Sequence, residues 1–196
     1  MSRESHIVKP ESVTDAIDLD RLFPEPRPLQ IDVGCGKGRF LLARAAKEPD
    51  VNFIGIDRLL VRLRKIDKKL QRTGIQNVRL LRIEALYALT HLLPPACVSC
   101  FYIFFPDPWP KRKHHRRRLF KAEFLDVVER ALVPGGVCHV ASDHLEYMVE
   151  IRKIVTPDER FAPIAPFVPA EDERTDFELI FREAGQPVGR ISFRKH

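Results

Sequence analysis

At 196 residues, with 44% hydrophobic and 31% charged side chains, the chain has the composition of one globular domain, long enough to bury about 70% of its unfolded surface. No apolar run reaches the ~20 residues of a membrane span, and the start Met1-Ser2-Arg3-Glu4-Ser5-His6 lacks a secretory core. Four scattered cysteines (35, 97, 100 and 138) are too few for a disulfide scaffold, so a cytoplasmic protein with reduced thiols is expected. The net charge of +6 is local: residues 111–118 carry six basic side chains and no acid, residues 58–72 carry seven against Asp67 alone, and the remainder sums to −6. Two such segments on an acidic body fit either a directed surface for a polyanion or two ordinary solvated helix faces.

In chain order, residues 1–28 read as an N-terminal arm, stiffened by Pro24, Pro26 and Pro28, and residues 29–196 as one α/β domain. Leu29-Gln30-Ile31-Asp32-Val33 is a short apolar strand that runs into Gly34-Cys35-Gly36-Lys37-Gly38, and residues 39–47 then show helical spacing. Strand, glycine turn and helix open a nucleotide-binding βα unit, in which glycines let the backbone approach a ligand and the helix start offers free N–H groups. The spacing is GxGxG rather than the GxGxxG of dinucleotide sites. A second strand over 51–57 ends on Asp57, 19 residues beyond Gly38. A carboxylate there has two oxygens for the two hydroxyl donors of a ribose; the competing reading is a helix N-cap. Residues 59–73 form a helix with Leu60, Leu63, Ile66 and Leu70 on one face and cations on the other, closed by Gly74. The third strand spans 78–83 and hands over to Glu84-Ala85, where Glu84 is placed to cap a helix over 86–93.

Residues 98–105 read as a buried fourth strand. Cys97 and Cys100 form a CxxC at its start, but residues three apart on a strand face opposite ways and no second pair sits at zinc spacing, so core thiols and no metal are expected. The strand delivers Phe104-Phe105-Pro106-Asp107-Pro108-Trp109-Pro110-Lys111. Its three prolines impose a rigid, non-helical loop. One carboxylate, Asp107, and one indole, Trp109, thus stand where open α/β sheets bind ligands, directly before the densest positive charge. Trp109 either stacks on a base or anchors its own loop. A helix over 119–132 ends at Pro134-Gly135-Gly136, and a fifth strand over 137–141 carries His139 as a core histidine. Asp143 then faces substrate or caps a helix over 146–155. A Pro-rich edge strand or loop follows Phe161, then a helix opened by the capping-box pattern Thr175 to Glu178, and a last strand over 188–193. The fold class is α/β: a single Rossmann-like domain whose seven-stranded, mostly parallel sheet has helices on both faces.

Phe-Pro-Asp-Pro-Trp-Pro-Lys followed by His-His-x-Arg-Arg-Leu closely resembles the signature of the bacterial tRNA (guanine-N7-)-methyltransferases, and the similarity covers the chain from about residue 22. The resemblance implies a class I methyltransferase domain that uses S-adenosylmethionine to methylate a variable-loop guanine of tRNA, as a monomer or homodimer. Carried over by position, it implies cofactor contacts at Asp32, Gly34, Gly36, Gly38, Asp57, Glu84, Ala85 and Asp107, with Glu84 approaching the adenine amino group and Ala85 leaving room for the ring. Asp107 matches the catalytic position, and Lys111, Asp143, Thr175, Asp176, Phe177 and Glu178 match substrate-binding positions. Lys113, His114, His115, Arg116, Arg117 and Arg118 match the RNA-contacting run. The family commonly has Glu at positions 32 and 57, Asp at 84 and Thr at 142, where this chain has Asp32, Asp57, Glu84 and Ser142. N7 of guanine has an in-plane lone pair, so methylation needs no base; Asp107 would act by orientation and by stabilising the purine's developing positive charge. Methyl transfer to a protein or small molecule would leave the basic segments without a role. A non-catalytic RNA-binding module would be expected to have lost Asp107 or the glycine turn, and both are intact.

Overall fold

The computed structural model describes residues 4–10, 12 and 14–196; the remaining residues of the predicted arm lie outside the described set. The strands are Ile7–Val8 (β1), Leu29–Val33 (β2), Asn52–Asp57 (β3), Val78–Arg82 (β4), Val98–Phe104 (β5), Leu132–Ser142 (β6), Phe161–Ile164 (β7) and Gly189–Lys195 (β8). The α-helices are Leu19–Leu22 (α1), Arg39–Lys47 (α2), Leu60–Thr73 (α3), Ala85–Tyr87 (α4), Ala122–Ala131 (α5), Leu145–Val155 (α6) and Asp176–Glu183 (α7). All strands join one sheet in the order β1-β4-β3-β2-β5-β6-β8-β7, parallel from β1 to β6 and antiparallel at β8 and β7.

The sheet has eight strands where the sequence predicts seven. The extra one, β1, comes from the arm: Ile7 pairs with Leu80 and Val8 with Leu81. His6 and Ser5 secure it by donating to the buried carboxylate of Asp67 on α3. Two residues are too short to show a period of two, which is why no strand was legible there.

Side-chain alternation on the strands sorts the core onto two faces. Ile31, Ile54, Phe101 and Ile103 point to the face covered by α5 and α6, through Phe124, Val128, Met148 and Ile151. Phe53 and Leu80 meet Leu41 of α2 and Leu63, Ile66 and Leu70 of α3 on the other. The predicted helices on both faces are present. The stretch 86–93 makes only one α turn before a π-helix, Ala88–Leu92. Pro134-Gly135-Gly136 does not end before a strand but lies inside β6: pairing jumps from Val98↔Leu132 to Cys100↔Val137, and Gly135 at φ +75° makes the bulge. His139 accepts or donates at Nδ1 to Ser192 Oγ at 2.8 Å and stacks on Phe167. Burial, then the Arg44 charge, push it down to about 4, so it is neutral at pH 7. Burial pushes the Cys97 thiol up to about 11 and the Cys100 thiol up to about 12.

The chain winds outward from β2 in both directions, first to β3 and β4, then back to β5 and β6. The crevice beyond the carboxyl ends of β2 and β5 is therefore the topological switch point.

Candidate active site

A cleft of about 940 Å³ opens at that switch point. The turn after β2 forms its floor. Gly34, Gly36 and Gly38 all have positive φ, and a Cβ at Gly34 or Gly36 would meet nothing closer than 3.9 Å, so the backbone there lies open to the cleft. Gly38 has a different reason: at the N-cap of α2, its Cβ would stand 2.7 Å from Cγ1 of Ile66 on α3.

Five acids reach the cleft, Asp176 from its rim and four from the strand ends. Asp32 and Asp57 share one sheet face at the ends of adjacent strands, and both are buried. Asp57 is held by three donors: the Gly36 amide at 3.1 Å, the Leu59 amide at 2.7 Å and Arg62 at 3.3 Å. It is not the N-cap of α3, which is Leu59, but it ties down the residue just ahead of that helix while lining the cleft. Burial, and then the neighbouring charge of Asp57, push Asp32 up to about 7, so the cleft holds a carboxyl that a cation would readily ionise. Glu84 lines the cleft beside Ala85 and also caps α4, its carboxylate accepting from Leu86 N–H at 3.1 Å and Tyr87 N–H at 2.8 Å.

The fourth acid, Asp107, is exposed on the opposite wall. Its loop is held in an unusual way. Phe105 (φ +55°) and Trp109 (φ +42°) both adopt the left-handed conformation that side chains avoid, flanking Asp107 on either side. The Phe105 amide donates to Ala141 O at 2.7 Å, fixing the loop's start to β6. Arg118 fixes its end: Nε donates to Pro108 O at 2.7 Å, another nitrogen reaches Trp109 O at 3.5 Å, and the guanidinium pairs with Glu150 over the Tyr147 ring. Trp109 is packed within its own loop, with Arg117 4.9 Å above its ring and His114 at its edge, and it borders the cleft.

The remaining predicted residues divide. Thr175, Asp176 and Phe177 form the cleft's upper rim, Thr175 capping α7 by accepting from Glu178 N–H at 3.0 Å. Glu178 does not return the capping box: its side chain is 1% exposed and paired with Arg190, turned from the cleft. Asp143 follows the end of β6 and lies outside the cleft lining, and His144, not Asp143, caps α6. Lys111 also lies outside the lining, exposed, and begins a 3₁₀ helix, Arg112–Arg117. Of the run, Lys113, Arg116 and Arg117 are exposed and His114 and His115 half-buried. Arg118 departs from the expected RNA contact, because its side chain is only 5% exposed and faces its own loop.

Three features of the site had no motif. Arg39, Arg58 and Arg62 also line the cleft. Phe105 packs against Phe177 and Phe181, and the exposed Ile180 continues that apolar rim. The i, i+3, i+4 spacing of Phe177, Ile180 and Phe181 was the available signal, although it reads equally as a core stripe. Among the described residues no group of His, Cys, Asp and Glu is arranged to hold a metal ion, and no helix is long and apolar enough to cross a membrane.

A family model described as a putative methyltransferase matches residues 26–187. The tRNA (guanine-N(7)-)-methyltransferase of Nocardia farcinica is 38% identical over 160 residues, 82% of this chain and 60% of that protein. Those of Mycobacterium avium and Aliivibrio salmonicida are 33% and 32% identical over 91% and 94% of this chain, covering 71% and 79% of their own lengths. Among solved structures, the 16S rRNA methyltransferase KamB superposes with a TM-score of 0.66 at 16% identity, covering 90% of this chain and 91% of that one. The aminoglycoside resistance methyltransferase NpmB1 gives 0.62 at 22% identity, over 87% and 88%. These two likenesses establish the fold. The matched family, the relatives and the Asp107 loop agree: the chain belongs to the bacterial tRNA (guanine-N7-)-methyltransferase family.

Proposed function

We propose that the chain is an enzyme that transfers the methyl group of S-adenosylmethionine to N7 of a guanine in the variable loop of tRNA, and therefore acts in the cytoplasm. One observation carries this reading. A single cleft joins an open glycine turn and three acids on one wall to the braced Asp107 loop on the other, with free cations just outside it.

The residues suit the cofactor. The uncovered backbone at Gly34 and Gly36 leaves room for a nucleoside to lie close. Asp57 has two oxygens to meet ribose hydroxyls, Glu84 and Ala85 border the place for an adenine, and the raised Asp32 favours a cationic group. When bound, the cofactor supplies an electrophilic methyl group on a sulfonium. The chain's own contribution is positioning. Asp107 accepts from the N1–H and exocyclic amine of guanine, aligns N7 without removing a proton, and stabilises the positive charge the purine gains. Phe177 and Ile180 give the base an apolar rim, and Lys111, Lys113, Arg116 and Arg117 hold phosphates near its entrance. Residues 29–196 carry this chemistry, and the described part of the arm closes the sheet edge.

The test is incubation with S-adenosylmethionine and bulk unmodified tRNA, followed by nucleoside analysis. The reading predicts 7-methylguanosine. Binding of tRNA with no methyl transferred would leave an RNA-binding module instead.

A further inference from the structure

Beyond Arg58 and Arg62, which line the cleft, the second basic segment is not used by the site described above. It occupies α3, which starts at the mouth of the cleft on the β3 side and runs away from it. Leu63, Ile66 and Leu70 are fully buried under the helix, while Arg64, Lys65, Lys68, Lys69 and Arg72 are exposed. Spacings of three and four residues place these cations side by side, about 5–6 Å apart, where like charges repel.

Among the described residues no acid relieves that repulsion. The helix has one acid, Asp67, which is buried and turned to His6 and Ser5. Its first turn has no acid at all, against the preference set by the helix dipole. Among the described residues, none of the five exposed cations has an ion-pair partner; only Arg62, at the cleft, pairs with Asp57. The array extends roughly 15 Å along the axis from Arg62 to Arg72. It also faces the side of the cleft opposite the Lys111–Arg117 run, since β3 and β5 flank β2 on opposite sides.

We propose that this face of α3 is a second phosphate track for tRNA, which grips the RNA on the far side of the cleft while residues 111–117 hold the near side. The proposal rests on the tRNA reading above. RNA fits better than a membrane surface, because the large apolar residues beyond the helix's first turn are buried and leave no stripe to enter a lipid interface.

The test uses the full chain with Lys65→Gln, Lys69→Gln and Arg72→Gln together, none of which lines the cleft. Equilibrium binding of unmodified tRNA is measured across salt concentrations. The expected result is a Kd raised on the order of tenfold, a log Kd against log salt slope shallower by about 2, and kcat at saturating tRNA within about twofold of wild type. The matched variant Lys65→Arg and Lys69→Arg should bind like wild type, which separates charge from shape. An unchanged Kd and slope in the Gln variant would overturn the proposal. So would loss of flotation with anionic phospholipid vesicles while tRNA affinity stays intact. If wild type binds tRNA but makes no 7-methylguanosine, the catalytic reading fails, and the salt slope still decides the α3 track independently.

Discussion

The two loops that face each other across the cleft reach the same end by opposite means. After β2, the chain turns through positive φ at Gly34, Gly36 and Gly38, where the missing Cβ makes that conformation cheap and leaves space. After β5, it does so at Phe105 and Trp109, where it costs about 1–2 kcal/mol per residue. The first loop is built for room, and the second for a fixed carboxylate. The strain in the second is held by Ala141 O at one end and Arg118 at the other. A cofactor wall can be open backbone; an acid that must orient a base needs a loop with few alternatives.

That contrast can be broken from either side. The largest effect is expected at Gly38, where alanine adds the left-handed penalty to an overlap with the buried Ile66. Gly38→Ala should cost about 3 kcal/mol in denaturant unfolding. Next comes the brace. Arg118→Ala removes a buried guanidinium, two carbonyl contacts and the Glu150 pair, for a loss of about 2 kcal/mol. Its signature differs from that of an RNA contact: kcat should fall while the salt dependence of tRNA binding stays as in wild type, whereas Arg117→Ala should flatten that dependence. Third is the pH response of Asp32. Its pKa is raised from 3.8 to about 7 by burial and the charge of Asp57. The folded state therefore holds this proton more tightly, and the associated stability is complete below pH ~4 and is lost as pH rises through about 7. Cofactor affinity should run the other way, rising through pH 7 by up to about tenfold and losing that dependence in Asp32→Asn. The smallest effect belongs to Gly36→Ala, which meets open space and should cost about 1 kcal/mol of stability. A cost equal to that of Gly38→Ala would erase the distinction between a turn glycine and a packing glycine.

Much of this site was legible because its parts are local. The glycine turn, the acid at the end of β3 and the proline loop each occupy a few consecutive residues, and α3 showed its boundaries through apolar spacing and Gly74, whose φ of +76° ends it. What was hidden depends on which way a side chain turns. Arg118 sits in a charge run that has no face until Glu150 and the Pro108 carbonyl are brought to it from elsewhere. Glu178 satisfied a capping pattern, yet Arg190, 12 residues away, claims its carboxylate. Asp143 is the cap the sequence suggests for α6, yet its neighbour His144 takes that place by accepting from Tyr147 N–H. Sequence shows which residues a loop contains; long-range partners decide which of them face the cleft.

The most direct test of the central claim is the single-turnover rate of methyl transfer to tRNA by Asp107→Ala, with cofactor and tRNA affinities measured on the same preparation. A carboxylate that orients guanine and stabilises its developing charge predicts a rate lower by about 10²–10³ with both affinities within a few-fold of wild type. A rate close to wild type, or a loss explained entirely by failure to bind the cofactor, would contradict it.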